Sequence, residues 1–164
     1  MLALLLAACT GAVVDSSGEP PDTADSAAAT GPGTLAISVK MEDDLLVDLA
    51  ADGETAIAMV SGEVYAEADV NPATGPLDGV VALGEFAVDV DLSIEGGPSP
   101  VVYTTDPLDP QIVYVLGCLD SDLNGDCGDA GDPVTFPTQN KFQVAAGVES
   151  PITMELGLRR PSDQ

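Results

Sequence analysis

Histidine and tryptophan are absent from these 164 residues, and lysine and arginine together number four. Without histidine there is no imidazole to serve as general base, triad member or zinc ligand. Three tyrosines and three phenylalanines leave little aromatic surface on which a sugar ring or a nucleobase can stack. The shortage of bases against 28 acids gives a net charge of −24, which repels nucleic-acid phosphates and anionic membrane surfaces alike. No Gly-rich phosphate loop and no nucleophile elbow occur. The chain is therefore expected not to be an enzyme. The catalytic route still open, a carboxylate-dependent hydrolase, needs two carboxylates facing each other across roughly 5–10 Å.

Apolar residues make up 45% of the chain. They come in alternating runs, which points to a folded domain rather than to the disorder such charge often brings. The length suits one ordinary domain with a real core.

The N-terminus reads "MLALLLAAC", a short apolar run ending in small residues and a cysteine. Leu6-Ala7-Ala8-Cys9 resembles the lipobox of bacterial lipoproteins, in which small side chains precede the cut and the cysteine becomes the lipid-bearing N-terminus. The resemblance implies a cleaved signal over residues 1–8, lipidation at Cys9, and anchoring by more than one acyl chain. The apolar run is too short to span a bilayer, and no base precedes it. Met1 is thus expected to be a late start, with the true start upstream. The competing reading is a chance apolar N-terminus. Residues 9–32 hold no aromatic or basic residue and are mostly Ala, Ser, Thr, Gly, Pro and Asp, the composition of a flexible acidic tether. Its average reach is roughly 25–30 Å. Thr10 after the cysteine is not the aspartate that retains enteric lipoproteins in the inner membrane, so outer-membrane or surface display is what the resemblance implies.

From Gly33 the period changes to two. "TLAISVKM" alternates Leu35, Ile37, Val39 and Met41 against small or polar residues, and "GEVYAEADV" sets Val64, Ala66, Ala68 and Val70 against Tyr65, Glu67 and Asp69. "FAVDVDLSI" puts Phe86, Val88, Val90, Leu92 and Ile94 on one face. "IVYVLGCL" is apolar on both faces, as a central strand would be; "KFQVAA" and "PITMELGL" follow, the latter with Ile152, Met154, Leu156 and Leu158 in register. Turn signals such as Asp52-Gly53, Asn71-Pro72, Asp78-Gly79 and Gly96-Gly97-Pro98 separate these runs, and no sustained helical period is present. Seven to nine short strands on a shared core predict an all-β domain over residues 33–160, a single antiparallel β-sandwich of Greek-key, Ig-like or transthyretin-like type, before a tail at 161–164. Most acids fall on outer faces, where water solvates them and they discourage edge pairing.

The C-terminal half, with "QIVYVLGCLD", a loop rich in Asp and Gly, then "GDPVTFP", "FQVAAG" and "PITMELGL", resembles the transthyretin-like or carboxypeptidase-regulatory-like sandwich domains of secreted bacterial proteins. That resemblance implies a structural or accessory module. It bears on fold more than on activity.

Three cysteines are present. With Cys9 lipidated, Cys118 and Cys127 remain, and in an exported protein they are expected to pair. The alternative is two buried thiols on neighbouring strands. Two sulfurs without histidine do not make a zinc site. Between and beyond them, "CLDSDLNGDCGDAGDP" packs five aspartates into the segment 118–133. Asp120-x-Asp122-x-Asn124-Gly125-Asp126 matches the first half of an EF-hand-like loop, similar to those of dockerins and thrombospondin-type repeats. Hard oxygen ligands at alternate positions converge on a calcium ion, and Gly125 makes the sharp turn. The carbonyl of Asp126 supplies the next ligand. Gly131 stands where a bidentate Glu is usual, so Asp129 or Asp132 must replace it. The rival is a metal-free Asn-Gly hairpin closed by the disulfide, which leaves five crowded carboxylates unexplained.

The expectation is a lipid-anchored, non-catalytic envelope protein with a calcium- and disulfide-stabilised β domain. Its main rival is a module binding an extracellular glycan, peptide or envelope partner, for which Tyr103 and Tyr114 would form an exposed cluster rather than enter the core.

Overall fold

A computed structural model describes residues 29–94 and 97–160. The expected signal segment 1–8, Cys9, the tether as far as residue 28 and the tail 161–164 lie outside the described residues. The elements are β1 (Thr34–Met41), α1 (Asp43–Asp52), β2 (Ile57–Ala66), β3 (Val70–Asn71), β4 (Gly75–Pro76), β5 (Gly84–Asp91), β6 (Tyr103–Thr104), β7 (Ile112–Leu119), β8 (Pro133–Thr135), β9 (Lys141–Gln143) and β10 (Glu149–Arg159).

Alternation drives the sheet, as each strand turns one face to a common interior. Eight strands form one sheet in the order β5, β2, β7, β8, β10, β1, β6, with β9 also paired to β7, while β3 and β4 make a small separate ribbon. The two edges, β5 and β6, meet through the stacked rings of Phe86 and Tyr103, whose centroids lie 5.0 Å apart. The sheet is thus barrel-like, nearly closed on itself, which removes most of the exposed edge an open sheet would leave. Gly62 makes room for that seam, because a Cβ there would lie 2.3 Å from the Phe86 ring.

The β-rich class is as the sequence predicts. The arrangement is not: one continuous sheet stands where two antiparallel layers were expected, and β1 pairs with β10 in parallel along its whole length. Strands so far apart in the chain pair through their shared core side chains, and alternation within each strand says nothing about such partners. Leu35, Ile37, Val39, Val60, Val64, Val113, Val115, Leu119, Met154 and Leu156 fill the interior, each contributing about 1.5–3 kcal/mol by leaving water.

Three local expectations are corrected. Residues 43–52, where the sequence shows no sustained helical period ahead of the Asp52-Gly53 turn signal, form α1, with Leu45 and Leu49 buried one turn apart. Its acids Asp43 and Asp44 suit the positive helix start, and Gly53 is its left-handed cap, φ 78. Tyr65, expected outside, is buried in a second small cluster with Val70, Tyr114 and Leu116. Ile94 and Leu158, expected inside, are exposed; Leu158 lies where the pairing of β10 with β8 shifts register, and Ile94 follows the end of β5.

The strand directions give the barrel two distinct ends. Gly33, bonded through both N–H and C=O to Leu108, brings the chain in at one end, where Glu149 lies opposite Thr34. At the other end β1 passes into α1, β7 runs out into the acidic loop, and β10 finishes at Arg159. Eight residues of β7 separate these ends by roughly 25 Å.

Candidate metal centre

The acidic loop hangs between β7 and β8 at the α1 end of the barrel. Cys118 and Cys127 close its base in a disulfide, with Cα atoms 5.8 Å apart, so the expected pairing is present and the two-thiol alternative is not. The loop is not a two-residue Asn-Gly hairpin. Around the Asn-Gly pair the positive-φ residues are Leu123 (φ 62) and Gly125 (φ 88), whereas a type I′ turn would need Asn124 itself at positive φ. A leucine in that conformation is uncommon, and Leu123 points into solvent.

Carboxylates organise the loop from inside. Asp120 is buried, and its Oδ1 and Oδ2 accept the backbone N–H groups of Asn124 at 3.1 Å and Gly125 at 3.0 Å. Asp132 is buried too; Oδ1 accepts the Ser121 N–H at 2.9 Å and its hydroxyl at 3.0 Å, while Oδ2 accepts Gly128 N–H at 2.9 Å and Asp129 N–H at 3.2 Å. Four bonds fill the lone pairs of Asp132. Asp120 and Asp122 keep lone pairs to offer.

Of the six residues singled out in sequence, the structure brings Asp120, Asp122 and Asp132 together, with one carboxylate oxygen of each within 4.8 Å of the others. Such a group can hold a metal ion. Of the two replacements for the twelfth ligand, Asp132 joins the group. Asp129 does not; it accepts the Asn124 amide at 3.0 Å. Asn124 also donates to Asp122 Oδ2 at 2.9 Å, and its Oδ1 accepts the Asp126 N–H at 2.7 Å. The Asp126 side chain is exposed and outside the group.

Sequence reasoning missed the basic frame around the loop. Arg159 Nε donates to the Gly131 carbonyl at 2.6 Å, and its other nitrogens reach Glu54 at 2.6 Å and Asp52. Arg160 donates to the Gly128 carbonyl. Glu54 in turn accepts the Ser121 hydroxyl at 2.9 Å, tying the end of α1 to the loop. These ion pairs hold the Arg159 guanidinium above its ordinary range, chiefly through Asp52. A pair of adjacent arginines ending an amphipathic strand was the available signal. Both arginines address loop carbonyls, and among the described residues none of the loop's five carboxylates takes part in an ion pair.

The tyrosines proposed for an exposed binding cluster are elsewhere. Tyr103 is in the barrel seam, and Tyr114 is buried beneath the Lys141 ammonium, 5.7 Å from its ring centroid. Among the described residues no helix is long and apolar enough to cross a membrane. Comparison with models of protein families, with curated proteins and with solved structures gives no significant match to this chain.

Proposed function

We propose that this chain is an exported, non-catalytic protein, held at a bacterial envelope by lipid on Cys9, with a β domain in a structural or accessory role whose acidic loop binds one calcium ion. One observation carries the metal reading: three carboxylates converge, two of them buried, and among the described residues no ion pair neutralises them. Burying unpaired carboxylates is costly, and a hard divalent cation offsets that cost through oxygen ligands of this kind. Asp120 and Asp122 would bind the ion directly, with Asn124 Oδ1 and the Asp126 carbonyl as further ligands, while Asp132 holds the frame and adds charge.

The anchor rests on Leu6-Ala7-Ala8-Cys9, and on the pairing of the two remaining cysteines, which suits an oxidising compartment. Because the chain enters the barrel at the end opposite the loop, a tethered domain would carry the calcium loop away from the membrane. The likeness to transthyretin-like and carboxypeptidase-regulatory-like modules rests on the sequence order of strand, acidic loop and returning strands alone, since the sheet is a single barrel-like layer.

The test uses Cys9→Ser protein taken from the soluble fraction and melted in millimolar calcium and in chelator. Calcium at 100 times its dissociation constant should stabilise by about 2.7 kcal/mol, a rise of several degrees in Tm that Asp120→Ala abolishes. An unchanged melt removes the metal. For the anchor, wild-type protein should partition into detergent; mature protein that stays in the aqueous phase with a free Cys9 thiol contradicts it.

A further inference from the structure

Asn124-Gly125 is the chain's one Asn-Gly pair; its other asparagines, Asn71 and Asn140, precede proline and lysine. We propose that Asn124 is a latent self-modification site, kept intact by the loop's hydrogen bonds and converted to aspartate and isoaspartate when the loop opens. In an open chain the Gly125 nitrogen gives its proton to solvent base and attacks Cγ of Asn124. The Cγ–Nδ2 bond breaks, the nitrogen leaves as ammonia after taking a proton, and a five-membered succinimide forms. Water then adds to either carbonyl, giving aspartate or isoaspartate; one water enters, one ammonia leaves, and nothing is oxidised. Glycine favours the attack because no Cβ crowds the nitrogen and the backbone is free to adopt the geometry.

The folded loop blocks each requirement. The Gly125 N–H donates to Asp120 Oδ2 at 3.0 Å, and Asp120 is buried, so removing that proton beside a carboxylate is disfavoured. The leaving nitrogen bridges Asp122 at 2.9 Å and Asp129 at 3.0 Å, while Oδ1 is pinned by the Asp126 N–H at 2.7 Å. Cγ is therefore held at both ends, and the disulfide limits how far the backbone departs. Conversion then proceeds only from the open fraction, at the open chain's own rate.

The product does not fit the loop it came from. Either acid removes the two side-chain amide donors to Asp122 and Asp129 and sets a new carboxylate between them, and isoaspartate also adds a methylene to the backbone at the Leu123–Gly125 turn. An opening event would thus be recorded covalently and the loop would stay open. None of this requires a bound cation.

The experiment keeps oxidised Cys9→Ser protein in chelator at mildly alkaline pH and physiological temperature, beside the same protein reduced and alkylated, and beside Asp120→Asn, which loosens the loop and leaves the disulfide. Circular dichroism establishes that each keeps its sheet, and peptide mapping follows the amide-to-acid mass change and isoaspartate at Asn124. Conversion should be at least about tenfold faster in both loosened forms than in the intact protein, as for a reaction gated by local opening. Equal rates in intact and loosened protein, or no conversion in either loosened form, overturns the proposal.

Discussion

Ile37, Val60 and Met154 are fully buried in the barrel wall, and Asp120 and Asp132 are nearly as buried in the loop at its end. The wall residues are there because water excludes them. The aspartates are there because backbone N–H groups line up to receive them. Equal burial therefore has unlike causes, and the two regions should fail differently. Loss of volume in the wall carries a graded cost, whereas loss of one partner in the loop leaves a buried polar group exposed to its full desolvation penalty.

Four perturbations sharpen that contrast. Leu156→Ala, at a fully buried position of the wall, should cost about 2–5 kcal/mol in urea unfolding through lost transfer energy and a cavity, leaving the disulfide oxidised. The double change Cys118→Ser with Cys127→Ser should cost about 2.5 kcal/mol by loop-closure entropy, measured in the same way. Arg159→Met keeps the stem but removes the Gly131 contact and the pairs to Asp52 and Glu54; a loss of about 2 kcal/mol is expected for charge-assisted bonds, with hydrogen exchange rising in residues 128–132 before it rises in β1 or β7. A wall-wide rise in exchange would erase the distinction between the regions.

The smallest effect concerns Tyr65. Burial, and then its hydrogen bond to Glu63 at 2.5 Å, push the phenol up to about 12. The fold favours the protonated phenol, so this contribution is complete below pH 10 and is lost as pH rises from about 10 towards 12. Tyr65→Phe should flatten the alkaline limb of a stability–pH curve. An identical limb in both proteins contradicts the assignment.

Much of the wall was legible because alternation reports burial directly: Leu35 to Met41, Phe86 to Leu92 and Met154 to Leu156 face inward as read. The two-sided apolar run at Ile112–Leu119 became the strand with neighbours β2, β8 and β9. The parallel partnership of β1 and β10 was not legible, since it joins strands more than a hundred residues apart. Nor was α1: Leu45 and Leu49 form too short a stripe to show a period, and the Asp52-Gly53 signal served equally for a turn and a helix cap. In the loop, spacing pointed to Asp120 and Asp122, and charge economy to the disulfide-closed segment. Spacing alone could not choose Asp132 over Asp129, because that choice is made by the Ser121 and Gly128 N–H groups that draw Asp132 inward.

The central claim is that Asp120, Asp122 and Asp132 gather for a cation and not merely to brace the turn. Isothermal calorimetry of calcium into chelator-stripped Cys9→Ser protein tests it directly. One site per chain is expected, with micromolar to millimolar affinity, absent in Asp122→Asn, which alters the one carboxylate of the three that is exposed and bonded only to Asn124. A flat titration at millimolar calcium, or the same heat from wild type and Asp122→Asn, would contradict it and leave a loop braced by hydrogen bonds, two arginines and a disulfide alone.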